Sequence, residues 1–265
     1  RIVLGIALGA GILAIGHLRR YHEQEHYLTL TTLGSGIIIA SVYVGQLLFS
    51  VFDPLMALLI LLATIAYTVS VSVATNTQWL AVTAAIAALV APLLTNAPEG
   101  LADLFFYYLV MITVCFLLVQ RFRPWRSLPL TLALGVGYYQ VAYYAEGVMN
   151  ETTLWWYVTI FTIIFFAANT INLQQDDEPQ PLDIALFGFV AVNFAGWVQV
   201  LATEKSLVTF TAAFVVAATG YLLYKRHTSK RTVSLYAGLA GLFVLLGTSF
   251  ALDGYTLTIA FALEI

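Results

Sequence analysis

Charge is what this 265-residue chain has least of. Asp, Glu, Lys and Arg make up 9% of it and hydrophobic residues 61%, against roughly a quarter charged in an ordinary soluble domain. That shortage excludes a water-soluble globule, and no soluble basic patch suggests a nucleic-acid partner. Cysteine is almost as scarce: Cys115 stands alone in an apolar run, so no internal disulfide or cysteine-based metal centre can form. It reads as a small buried hydrophobe. The sequence also lacks a P-loop, a dinucleotide fingerprint and a G-x-S-x-G elbow, so nothing points to a nucleotide-driven cycle and no cofactor is implied.

What is present is a succession of long apolar runs, each about the roughly 20 residues needed to cross a bilayer. They are bounded by charges, Pro or Asn at 2–16, 28–52, 54–74, 79–95, 101–120, 127–145, 153–173, 182–202, 207–224 and 232–251, with a partial eleventh from Gly254. A barrel strand alternates sides over about ten residues, and these runs do not alternate. The expected fold is therefore all-α, a polytopic transmembrane helical bundle of about 10–11 spans forming a single region over 1–265. Connections of a few residues make consecutive helices antiparallel neighbours. The first run lacks a small-x-small cleavage site leading into a soluble domain, which argues against a signal peptide. The chain starts at Arg1 without Met and stops at Ile265 inside an apolar run, as expected of a segment from a longer protein.

Basic residues give a direction. Arg19, Arg20, Arg121, Arg123, Arg126, Lys225, Arg226, Lys230 and Arg231, nine of the eleven, follow odd-numbered spans, and such loops stay in the cytoplasm. A multi-pass protein of the bacterial inner membrane is the expectation. The acidic loop around Asp176 to Glu178 then lies inside, which the rule tolerates because acids weigh little in it. The basic loops recur roughly every 100 residues and each precedes a Gly-rich span: LGSG at Leu33, LGVG at Leu134 and GLAG at Gly238. Parallel four-helix repeats near 1–100, 101–204 and 205–265 would produce that period; so would any polytopic chain with basic loops at even multiples of a helix length.

Chemistry has few footholds. His22-Glu23-Gln24-Glu25-His26 spells H-E-x-x-H, but a catalytic zinc needs a third protein ligand and an open position. A short charged connection between spans supplies neither, so no metal site is assigned. Aromatic residues crowd the expected outer ends: Tyr107, Tyr143, Tyr144, Trp155 and Trp156, with Asp103, Glu146 and Glu151 at the same level. An interfacial belt of Trp and Tyr explains this in part. The sharper reading is an outward-facing cleft of Asp103, Tyr107, Tyr143, Tyr144, Glu146, Trp155 and Trp156, able to hold a lipid headgroup, a saccharide or an amine by hydrogen bonds, stacking or cation-π contact. Gln46, Gln140, Asn169, Asn172, Asn193 and Gln199 lie within spans, where an amide needs a partner on another helix. Gly5 and Gly9, spaced G-x-x-x-G, and the later Gly clusters suit close helix packing. Ionisable residues are nearly absent from mid-membrane, which argues against a proton or ion pump.

The hairpin Val71 to Asn96 carries a resemblance. Thr75-Asn76-Thr77-Gln78-Trp79-Leu80-Ala81 and Ala91-Pro92-Leu93-Leu94, with Leu33 to Gly45 (LGSGIIIASVYVG) and Thr256 to Glu264 (TLTIAFALE), resemble the bacterial family of predicted membrane proteins called domain of unknown function 2339. Ile265 stands where the family usually has Gly after the closing Leu-Glu pair. The resemblance implies long chains of many hydrophobic helices and carries no catalytic residue. Three readings stay open: a transport-like or binding protein for a lipid or saccharide, an enzyme acting on a lipid-linked substrate with Asp103 or Glu146 as base, and a structural scaffold. Beyond the lipid bilayer, no protein partner can be named.

Overall fold

The computed structural model describes residues 2–19, 24–49, 51–91, 102–175, 178–226 and 229–252. Among them are ten α-helices and no strand: α1 (Ile2–Arg19), α2 (Gln24–Phe49), α3 (Pro54–Thr75), α4 (Gln78–Val90), α5 (Ala102–Gln120), α6 (Ser127–Ala145), α7 (Glu151–Gln175), α8 (Pro181–Leu201), α9 (Lys205–Lys225) and α10 (Lys230–Ala251). Helix is the form that lets apolar segments satisfy every backbone group without water. Eight of the ten, all but α4 and α6, are long and apolar enough to cross a membrane. α4 has 13 residues, and the rest of the span expected there, from Pro92 on, lies outside the described residues. In α6, Pro129, Gly135, Gly137, Gln140 and four tyrosines dilute the apolar character. The eleventh run, from Gly254, also lies outside the described residues.

Helix ends follow local chemistry. Pro54 and Pro181 occupy first-turn positions of α3 and α8, where a missing N–H costs nothing. The Asn150 side chain accepts from the Thr152 N–H at 3.0 Å to start α7, and Ser229 Oγ accepts from the Thr232 N–H at 3.3 Å to start α10. The Asp183 carboxylate accepts from the Gln180 N–H at 3.0 Å, which secures the entry to α8 and accounts for an acid that is only 2% exposed.

The chain divides into two compact units, residues 1–136 and 137–265, with the boundary inside α6. In the first, α1 lies along α2 and α3 along α4. Gly9 and Gly34 meet backbone to backbone: a Cβ on either would sit 2.8 Å from the carbonyl oxygen of the other. Lipid tails are as apolar as leucine, so helices associate by close packing and hydrogen bonds, and small residues allow it. The α3–α4 turn is stapled by Asn76 in the left-handed conformation (φ 55) and by Ser72, whose hydroxyl donates to the Thr77 carbonyl at 2.7 Å. Gln78 donates to Ser127 Oγ and Arg123 Nε to the Val73 carbonyl at 3.3 Å. Two connections expected on the same membrane side thus touch.

In the second unit, α7 pairs with α8 and α9 with α10. The Glu178–Arg231 ion pair at 2.7 Å joins the acidic and basic connections at one end, which gives the acidic loop a neutralising neighbour. Large apolar side chains stand on the outward faces: Leu4 is 71% exposed, Val192 74% and Phe214 74%. Surfaces of that kind are solvated by lipid. Cys115, expected to be buried, lies on such an exposed face of α5.

Candidate functional site

Along α7 the residues Trp155, Thr159, Thr162, Phe166 and Asn169 recur at alternating steps of four and three, which places them on one helix face. That face opens onto a groove of about 510 Å³ shared with α8, α9 and α10, inside the roughly 300–1,000 Å³ range of small-molecule sites. Phe187, Val190 and Phe194 line it from α8, Val208, Ala212 and Val216 from α9, and Leu239 and Phe243 from α10. No Asp, Glu, Lys, Arg or His is among the lining residues.

Ring contacts hold the walls. Trp155 stacks on Phe194 at 5.9 Å, and Phe194 meets Phe243 edge-on at 6.1 Å. One turn after another toward the opposite end, Phe166 stacks on Phe187 at 5.8 Å and Tyr236 closes on Phe187 at 4.8 Å. The Tyr236 hydroxyl pairs with Thr170 Oγ1 at 2.7 Å, and the absence of a side chain at Gly220 admits the tyrosine, whose Cβ would lie 2.8 Å from an added methyl. Aromatic pairs of this geometry contribute about 0.5–1.5 kcal/mol each beyond area burial, so the walls are stiffer than an aliphatic lining would be.

The polar atoms are few. Thr159 and Thr211 donate to carbonyls of their own helices, Trp155 at 2.9 Å and Leu207 at 2.8 Å. Thr162 Oγ1 and Asn169 Oδ1 are buried without a partner among the described residues, while Asn169 Nδ2 donates to the Asp183 carbonyl at 3.2 Å. The groove is open along its side, since Trp156 is 63% exposed, Ile163 farther along α7 61% and Val215 on α9 49%.

The residues singled out in the sequence fall in both units. Trp155 and Trp156 line the groove. Tyr144 packs edge-on against Trp197 at 5.3 Å, and Tyr143 is half-buried on the same helix end. Glu146 is exposed because α6 ends there: the Val148 N–H bonds the Tyr143 carbonyl, the Gly147 N–H that of Tyr144, and Gly147 has φ +64. This wrap satisfies the last carbonyls. Asp103 and Tyr107, both exposed, belong to the first unit. Of H-E-x-x-H, His22 and Glu23 lie outside the described residues; among the described residues no three His, Cys, Asp or Glu side chains come together as a metal site.

Sequence reasoning missed Thr162, Phe166, Phe187 and Phe243. The signal available was the four-three stripe on α7, which shows a face and not what that face encloses. The amide expectation holds where partners are seen, Asn193 Nδ2 donating to Gln140 Oε1 at 3.0 Å and Asn169 to α8. Gln46 Oε1 and Asn172 Nδ2 depart from it, buried without a partner among the described residues, and Gln199 is exposed near the end of α8.

No curated protein and no solved structure matches the chain. A family model described as "Predicted membrane protein (DUF2339)" matches residues 1–265. Together with eight helices long and apolar enough to cross a bilayer, the match makes this a multi-pass membrane protein, and the chain belongs to the predicted membrane protein family DUF2339.

Proposed function

We propose that the protein binds the hydrocarbon chain of a membrane amphiphile in the α7–α10 groove, in a noncatalytic or transport-like role, with the tryptophan end toward the outer face of a bacterial inner membrane. The observation that carries this is an apolar groove of about 510 Å³ with Trp155 and Trp156 at one end of its lining. A saccharide fits less well, because sugar hydroxyls need many partners and the lining is mostly apolar, its buried unengaged polar atoms among the described residues being Thr162 Oγ1 and Asn169 Oδ1. Orientation rests on Lys225, Arg226, Lys230 and Arg231, which gather at the opposite end of the same helices and belong in the cytoplasm.

The test is what the protein retains. After purification in a mild detergent and gel filtration, mass spectrometry of an organic extract should find near-stoichiometric single-chain or chain-bearing amphiphile. Ala212→Trp, which fills the groove from α9, should lower that yield at least tenfold while helix content is unchanged. Equal lipid complements in the two proteins would refute the reading.

A further inference from the structure

The two unengaged oxygens of the groove say more about its occupant. Asn169 is 1% exposed, and its carboxamide orientation is set because Nδ2 is committed to the Asp183 carbonyl. Oδ1 is therefore left as an acceptor with no donor among the described residues. Water does not supply one in a hydrocarbon surrounding, and a buried acceptor without a donor is costly. Two helical turns back on the same face, the buried hydroxyl of the half-buried Thr162 is also without a partner among the described residues. The walls beside Asn169, Phe187 and Val216 among them, are apolar.

Depth adds to this. Asn169 lies about 21 Å along α7 from Trp155 at roughly 1.5 Å per residue, farther than the roughly 15 Å of one leaflet's hydrocarbon. A polar foot at the far end of an otherwise apolar slot selects a long chain ending in a polar group. With no ionisable side chain in the lining, that group is neutral.

Building on the groove proposed above, we propose that its ligand is a neutral, long-chain amphiphile whose terminal hydroxyl donates to Asn169 Oδ1, the chain running from there toward Trp155 and Trp156. Ligands that lack the donor leave Oδ1 orphaned and bind more weakly.

Competition against tritiated hexadecanol on the purified protein tests this, with unlabelled hexadecanol and hexadecyl methyl ether as competitors. The ether has the same chain and no donor. In the wild type the ether should compete at least tenfold less well. Asn169→Leu should bind both equally, and Thr162→Val, which keeps the acceptor, should retain the preference for the alcohol. Equal competition in the wild type, or a preference that survives Asn169→Leu, overturns the assignment while leaving an apolar groove standing. If neither compound binds, the groove reading fails and this inference with it. Because the wild-type comparison needs no variant, a misfolded Asn169→Leu protein does not shield the proposal.

Discussion

Replacing Asn193 by Leu removes the donor that holds α8 to α6. Asn193 Nδ2 reaches Gln140 Oε1 at 3.0 Å. Gln140 is fully buried, and its own Nε2 already lacks a partner among the described residues. Interhelical hydrogen bonds in membranes contribute about 0.6 kcal/mol on average and up to about 1.7. A carbonyl orphaned by loss of its donor costs about 1–3 kcal/mol. Asn193→Leu should therefore destabilise by about 1–3 kcal/mol. Gln140→Leu removes both buried amide atoms at once and leaves Asn193, which is only half-buried, so it should cost less than about 1 kcal/mol. The double variant should fall short of the sum by about 0.6–1.7 kcal/mol. Reversible unfolding in mixed micelles of rising dodecyl sulfate fraction, followed by helical circular dichroism, measures all three. The reasoning is refuted if Gln140→Leu costs more than Asn193→Leu, or if the two effects simply add.

Three further outcomes are expected. Gly34→Val should loosen α1 from α2 at a cost of about 1–3 kcal/mol, since its Cβ would meet the Gly9 carbonyl at 2.8 Å, whereas Gly36→Val meets open space and should be near neutral in the same unfolding assay. The Glu178–Arg231 pair, with side chains 64% and 73% exposed, should show a coupling of about 0–1 kcal/mol in a double-mutant cycle, fading as salt rises. In a Cys115→Ser background, Pro124→Cys should react with a membrane-impermeant maleimide only in inverted vesicles and Asn150→Cys only in right-side-out cells; labelling of position 124 from outside would overturn the orientation.

Helices were legible because their signals are local. Apolar runs, Pro54 and Pro181 at first turns, and Asn150 and Ser229 at N-caps act within a turn of chain, so spans expected at 54–74 and 182–202 meet α3 (Pro54–Thr75) and α8 (Pro181–Leu201). Close packing at Gly5 and Gly9 was legible, because only small side chains let backbones touch; that Gly9 meets Gly34 of α2 was not. The groove was not. Trp155 and Trp156 stood out as interfacial aromatics, but whether a void lies behind them depends on how Phe194, Phe243 and Ala212 are set in register by helices distant in sequence. Nor was the exposure of Glu146, which follows from the turn at Gly147 that ends α6.

Photocrosslinking tests the central claim most directly. A long-chain alcohol bearing a diazirine midway along its chain, irradiated with the protein in bilayers and mapped by peptide mass spectrometry, should place its saturable adducts on α7, α9 and α10 around Thr162, Val208, Ala212 and Phe243, and unlabelled hexadecanol should suppress them. Adducts spread without saturation over lipid-facing positions such as Leu4, Val192 and Phe214 would contradict a specific groove and reduce the contact to that of any helix with its bilayer.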